Sequence, residues 1–296
     1  MQIKTINRIL QAKITSWINT IDDELLQKAL KKDVIITGGC IPSLLLHEGV
    51  NDYDVYIRTY ETLLKVVKYY TKGSPIDILT FDNKQLYQNE KRYAHLDNDI
   101  VNGFAIAVDN LQPNQIKLYP TDGSAGHKIK LTGDEKELEY KPRYFSPNAI
   151  SLSDDLQIVI RFHGEPSVIH ESYDFVHATN YFTLKEGLVT NIKALESILT
   201  KQLFYKGSKY PLTSIIRVNK FIKRGYKISA GEMLKMIFQT SQLNLTDVNV
   251  LEEQLIGVDV AYFAMLIHAL RNNNNPISST RINILVDEIF NLNKDI

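Results

Sequence analysis

A single cysteine, Cys40, stands among the 296 residues, so an internal disulfide is excluded and a reducing compartment is the easier setting. No apolar run approaches the roughly 20 residues of a membrane-spanning helix. Residues 1–10 scatter charged and polar groups and lack the apolar stretch of a signal peptide. The expectation is a cytoplasmic protein with no membrane partner. Net charge of either sign is also missing, because 34 Lys and Arg balance 34 Asp and Glu, and any electrostatic footprint must be local. Internal repeats and Gly-, Pro- or Ser-rich linkers are absent, so the parts of the chain are expected to pack together. Hydrophobic residues make up 44% and charged residues 23%, enough to fill an ordinary core.

Periodicity divides the chain into two textures. Apolar residues at helical spacing, Ile6, Ile9, Leu10, Ile14, Trp17 and Ile18, then Leu25, Leu26, Ala29 and Leu30, predict one or two helices over 4–31. A short strand follows at Val34–Thr37, then a helix at 41–48 with Pro42 in its first turn, where a missing N–H costs nothing. Strands at 52–58 and 76–81 flank a helix at 60–70. Turn signals and short β-type runs mark 96–156 as a β-rich insertion. Strands are predicted at 157–162 and 173–178, with a short helix at 166–171 between them. Helices are then predicted at 189–204, 211–225, 230–241, 247–270 and 279–293. The division is a mixed head over 1–183 and a helical part over 184–296.

The chemistry concentrates in one block. Gly38-Gly39 after a strand lets backbone turn sharply and approach a ligand closely. The helix that follows offers N–H groups suited to phosphate. Asp52 and Asp54 stand at i and i+2 on a strand, so both carboxylates project from one face. Such a pair repels itself unless neutralised, and Mg²⁺ held by carboxylates and substrate phosphates does this well. The plain alternative is a helix cap followed by a half-exposed edge strand.

The string GGCIPSLLLHEGVNDYDVYI, Gly38 to Ile57, resembles the head motif of tRNA CCA-adding enzymes and poly(A) polymerases, in the DNA polymerase beta superfamily of nucleotidyltransferases. The resemblance implies an α+β fold: a small mixed sheet backed by helices, followed by a helical neck and C-terminal domain. It implies Asp52 and Asp54 as catalytic metal ligands for Mg²⁺ or Mn²⁺. It places the NTP triphosphate on Gly38 and Gly39, with Cys40 beside them where superfamily members commonly carry Ser. Pro42-Ser43 replace the Arg-Asp usual at this helix start in CCA-adding enzymes, which departs from a CCA-type substrate choice. A third carboxylate completes many members. Asp174, in YDFVHATNYF, is the first candidate for that catalytic and metal-binding place, and Asp77 the second. A sugar-binding role for Asp174 stays open.

The segment PLTSIIRVNKFIKRGYKI, Pro211 to Ile228, resembles the basic neck helix of the same enzymes, with a one-residue slip. Arg217, Lys220 and Arg224 fall at i, i+3 and i+7 on one face, and Tyr205, Tyr210 and Tyr226 interleave with the basic residues of 201–235. Bases beside aromatics suit single-stranded RNA; Arg217 and Lys220 equally suit the triphosphate. His163, His170 and His177 lack compact zinc spacing. Segments across 146–228 resemble nucleotidyltransferase-like proteins of phages, which implies the host cytoplasm. The whole predicts a metal-dependent transferase moving an NMP from an NTP to an acceptor hydroxyl, first an RNA 3′ end, with protein and small-molecule acceptors open. The alternative is a catalytically silent nucleotidyltransferase fold serving as a phage binding or virion component.

Overall fold

The computed structural model describes residues 1–85, 111–122, 126–129, 139–254, 270 and 279–291. The chain falls into two compact units: Met1–His170 with Ala178–Asn191, and Glu171–His177 with Ile192–Ile296. The fold is mixed α+β.

The first unit is built on one eight-stranded sheet. Its strands are β1 (Val34–Thr37), β2 (Tyr53–Ile57), β5 (His127–Lys128), β6 (Pro142–Ser146), β7 (Ala149–Leu152), β8 (Leu156–Val159), β9 (Tyr181–Thr183) and β10 (Gly187–Val189). Their order is β10-β9-β1-β2-β8-β7-β6-β5. Every pairing is antiparallel except β2 with β8, which makes the sheet mixed. β3 (Ile76–Thr80) and β4 (Ile116–Pro120) form a separate antiparallel pair. The expected β-rich stretch 96–156 thus supplies β4 and also β5–β7 of the main sheet, while its residues 96–110 lie outside the described ones.

Helices α1 (Ile3–Asn19), α2 (Glu24–Asp33), α3 (Cys40–Leu46) and α4 (Tyr60–Thr71) supply apolar faces to a common core with this sheet. α1 buries Ile6, Leu10, Ile14, Trp17 and Ile18, the stripe that its 3.6-residue period draws on one side. Asp23 caps α2 by accepting the N–H groups of Leu25 and Leu26, both at 2.9 Å. Asp33, the last residue of α2, accepts the hydroxyls of Thr59 at 2.5 Å and Thr62 at 2.6 Å. That carboxylate therefore ties the entry to β1 to the start of α4, just beyond β2. Trp17 donates its indole N–H to the Tyr70 hydroxyl at 2.8 Å, joining α1 and α4 inside the core. α5 (Pro166–Glu171) follows β8.

The second unit carries α6 (Ile192–Thr200), α7 (Pro211–Lys223), α8 (Ala230–Thr240), α9 (Val248–Gln254) and α10 (Ser279–Asn291), with a two-stranded parallel pair β11 (Gln202–Leu203) and β12 (Lys227–Ile228). The helix expected over 247–270 is described only for 248–254; residues 255–269 lie outside. Phe175, Leu203, Tyr205, Val218, Tyr226 and Met236 form this unit's core. Residues 173–178, expected as a strand, are instead a bend, a single bridge from Phe175 to Tyr205 and a 3-10 turn over Val176–Ala178. The alternation of Phe175 and His177 reflects anchoring in that aromatic core rather than a pleated strand. β9 and β10, unforeseen in the sequence, extend the main sheet beyond β1.

Tyr70→Phe leaves the Trp17 indole N–H buried without its acceptor. We expect a loss of about 1–3 kcal/mol in unfolding free energy, measured by urea denaturation, with the denaturant slope unchanged.

Candidate active site

β1 ends at Thr37 and enters the glycine turn. Gly38 has φ +94°, where an L side chain is strained, and its N–H donates to the Ala178 carbonyl at 3.3 Å. Gly39 differs. It has φ −68° and precedes α3, and a Cβ built on it meets nothing within 4 Å. Backbone conformation therefore requires glycine at 38, while the second glycine keeps open space in front of the turn.

The antiparallel register sets Ile36 opposite Val55. Continued by one residue, it sets Thr37 opposite Asp54, so the paired acids flank the glycine turn. Asp52 is exposed and Asp54 half-buried, while Val55, Tyr56 and Ile57 are buried and anchor the strand behind them. Both carboxylates act on the Cys40 thiol. Its pKa is driven far up, chiefly by burial, then by the negative charge of Asp54 and of Asp52. The thiol donates to the Thr37 carbonyl at 4.0 Å. Cys40 is thus a neutral, buried member of the turn and not a nucleophile.

On the other side of β2, parallel β8 sets Gln157 opposite Asp54. An amide therefore stands beside Asp54 in the ladder. The acid that lies next in this strand pair is Asp155, which the sequence reading passed over. Its φ is +54° and its carbonyl accepts the Tyr53 N–H at 2.7 Å. Its charge reaches the Tyr53 phenol, which is raised by burial first, then by Cys40 and Asp155. Asp154-Asp155 just ahead of an apolar strand was the available signal. Asp77, the second candidate, is buried on β3, in the separate two-stranded sheet.

Among the described residues, no three His, Cys, Asp or Glu are grouped to hold a metal ion. Asp52 and Asp54 nevertheless fit a hard cation. They are oxygen donors two residues apart, one of them exposed, and the charges of both reach Cys40 just after the glycine turn. A two-carboxylate set suits Mg²⁺, which keeps waters and takes its remaining oxygens from phosphates.

Asp174 and Arg217 belong to the second unit. The structure brings these two site candidates together, with the Arg217 guanidinium 2.9 Å from the Asp174 carboxylate. Lys220, one turn further along α7, is exposed. The tyrosines expected to offer stacking faces divide: Tyr205 and Tyr226 are 6% and 5% exposed and serve the core, which corrects that expectation, and Tyr210 is half-buried. His177 packs edge-on to Phe221 with ring centres 4.5 Å apart, and its Nδ1 is buried with no hydrogen-bond partner. Burial lowers its pKa from the usual 6.5 to about 4; Asp174 opposes this, and Arg224 and Lys201 add to it.

Residues 8–201, well over half of the chain, match the family described as Gabija anti-defense 2 family protein. The chain belongs to the Gabija anti-defense 2 family. No curated protein matches the sequence. Among solved structures it is similar to the Thermotoga maritima CCA-adding enzyme complexed with tRNA, at 12% identity and TM-score 0.38, covering 94% of this chain and 60% of that one. A CCA-adding enzyme in complex with CTP gives 13% identity and TM-score 0.40, covering 94% and 53%. The Bacillus stearothermophilus CCA-adding enzyme with CTP gives 10% and 0.37, covering 85% and 50%. This family member spans 50–60% of the length of those enzymes.

Two outcomes follow for the site and its surroundings. Gly38→Ala is expected to cost about 1–2 kcal/mol of stability because of its positive φ, whereas Gly39→Ala should melt with the wild type; paired thermal melts decide it. His177 is protonated near pH 6.5 when unfolded and near 4 when folded. The unfolded state therefore takes up more protons between those values. Its stabilising contribution is full above about pH 6.5 and is lost as pH falls toward 4. Urea midpoints across that range should show this slope, and His177→Phe should flatten it.

Proposed function

We propose that this protein is a metal-dependent nucleotidyltransferase that moves an NMP from an NTP to an acceptor hydroxyl and releases pyrophosphate. The observation that supports the reading is that β1 pairs with β2, Ile36 opposite Val55, while the charges of Asp54 and Asp52 both reach Cys40 just after the glycine turn. Asp52 and Asp54 hold the divalent cations, Mg²⁺ or Mn²⁺. When bound, such ions activate the attacking hydroxyl and neutralise the leaving pyrophosphate. The backbone of the glycine turn, with Gly39 open in front, receives the phosphates of the NTP. Cys40 stays protonated beneath them and adds no negative charge. The protein supplies position and charge rather than a nucleophile. Asp174 is already neutralised by Arg217, which favours placing the metals on the Asp52–Asp54 pair.

The acceptor we favour is an RNA 3′ end. Lys220, Lys223 and Lys227 are exposed cations on and just after α7, the segment that serves as a neck in this reading, with the second unit as the helical C-terminal domain. Family membership supports the purpose we assign: the transfer counteracts Gabija defence, in the cytoplasm of a phage-infected host. A second reading, a silent fold that counteracts the defence by binding alone, draws on the described residues, among which no third acid is grouped with Asp52 and Asp54 to hold a metal.

Purified protein incubated with Mg²⁺ or Mn²⁺, each labelled NTP in turn and total tRNA should transfer label to RNA. The Asp52→Ala/Asp54→Ala variant should lose at least a hundredfold of that rate, roughly 3 kcal/mol of transition-state stabilisation. Label on protein would move the acceptor to a protein hydroxyl. Wild type that neither transfers label nor binds NTP with metal, yet still relieves Gabija defence together with the double variant, would establish the silent fold.

A further inference from the structure

On the side of β1 away from Asp54, the first unit holds an open cleft of about 420 Å³, within the roughly 300–1,000 Å³ of small-molecule sites. It is walled by the start of α5, the approach to β9, and the end of β10 with the residues after it. Glu165, Ser167, His170, Thr179, Tyr181 and Asn191 line it. No lysine or arginine is among the lining residues, and Arg58 behind them is engaged by Glu165. Hydroxyls, an amide and a carboxylate that is ion-paired to Arg58 at 2.9 Å offer hydrogen bonds instead. The half-buried rings of His170 and Tyr181 lie with centres 6.2 Å apart at 56°, so each presents a surface to a flat heteroaromatic group.

The cleft is joined to the glycine turn by a chain of hydrogen bonds. Thr37, the last residue of β1 and fully buried, donates its one hydroxyl proton to the Asn180 carbonyl at 2.8 Å. The same hydroxyl lies 2.8 Å from His170 Nε2, which ties that ring to the end of β1. The next residue, Gly38, donates to Ala178. Thr37 also stands opposite Tyr181 in the β1–β9 ladder. Across the sheet, Asp54, Thr37 and Tyr181 thus lie on three successive strands, roughly 10 Å from first to last. Between the lining residues Thr179 and Tyr181, the Asn180 amide accepts the Asn191 N–H at 2.9 Å, which holds the cleft's far wall in place.

We propose that this cleft takes the nucleoside part, sugar and base, of the nucleotide whose phosphates lie on the Gly38–Gly39 turn. The inference rests on the nucleotidyltransferase reading and gives it a specificity site within the first unit. Tyr181 and His170 stack the base, and Asn191, Thr179 and Glu165 address its edge or the ribose hydroxyls. His170 is a positioning residue as well, since it holds Thr37 and through it the start of the glycine turn.

Titration calorimetry of the full chain with Mn²⁺ tests this, using the four NTPs, inorganic triphosphate and the four nucleosides as probes. Wild type should bind one NTP about tenfold or more tightly than triphosphate. Asn191→Ala, an exposed position where misfolding does not confound the result, and Tyr181→Ala should each weaken that NTP about tenfold toward the triphosphate value. Triphosphate binding should be unchanged in both. Asp52→Ala/Asp54→Ala should instead lose triphosphate and keep nucleoside binding. Full NTP preference in both cleft variants, or equal binding of NTP and triphosphate by wild type, overturns the cleft while leaving the transferase reading intact. Wild type that binds nucleoside but neither triphosphate nor NTP removes the transferase reading and, with it, the assignment of the cleft to a nucleotide. Wild type that binds none of the probes overturns both.

Discussion

Like-charge repulsion between Asp52 and Asp54 is the constraint around which the first unit is organised. Two residues along a strand cover about 6.6 Å, so the pair costs about 0.6 kcal/mol in water and about 2.5 kcal/mol at an effective dielectric of 20. The chain holds them there because the rest of β2 has no freedom to move. Val55, Tyr56 and Ile57 are buried, β1 pairs on one side and β8 on the other, and a residue slip would turn the buried side chains outward. Asp33 reinforces this by clasping Thr59 and Thr62 just past the far end of β2. Placing the acids at the open end of the strand, with Asp52 exposed, keeps the cost nearer the watery limit.

That arrangement explains why a cysteine is tolerated beside two carboxylates. A thiolate at Cys40 would be a third negative charge in a buried place, and burial together with Asp54 and Asp52 keeps the proton on. The position behaves as a small neutral filler that bonds back to Thr37, much as a hydroxyl would. The family description names an outcome, a defence counteracted, and is silent on chemistry. The charge geometry speaks to chemistry and is silent on outcome. The two constrain different things, and the proposed transferase is the reading in which both have a place.

Much of this centre was legible in the sequence for local reasons. Val34–Thr37 is a short β-branched run stopped by two glycines, and it folds as β1 over those same residues. The strand expected over 52–58 forms as β2 over Tyr53–Ile57, so Asp54 lies within it and Asp52 just before it. What failed to show depends on partners far along the chain. β9 and β10 are three residues each and exist because Thr37 and Tyr181 pair across 144 positions. The 173–178 segment has the alternation of a strand, but its aromatic side chains are claimed by residues 203–236, so it becomes a bend and a turn. Gln157 opposite Asp54 was invisible because register between parallel strands leaves no mark in a single sequence.

The same distinction separates spent charges from available ones in the second unit. On the helical wheel Arg217, Lys220 and Arg224 look equivalent. In the fold they are not, because Arg217 is half-buried and engaged with a carboxylate that is itself buried. Withdrawing that guanidinium to reach a phosphate would leave Asp174 charged and unpaired in the interior, a loss of several kcal/mol, more than one exposed phosphate contact returns. Lys201 is likewise drawn inward, 4.7 Å over the Tyr226 ring and bonded to the Arg224 carbonyl. The exposed bases of 201–235 are therefore all lysines, Lys206, Lys209, Lys220, Lys223, Lys227 and the Glu232-paired Lys235, point charges on flexible stems. Such groups attract a polyanion without reading its sequence, so under the proposed function any choice of nucleotide has to be made elsewhere, in shaped and hydrogen-bonded space such as the cleft beside Thr37.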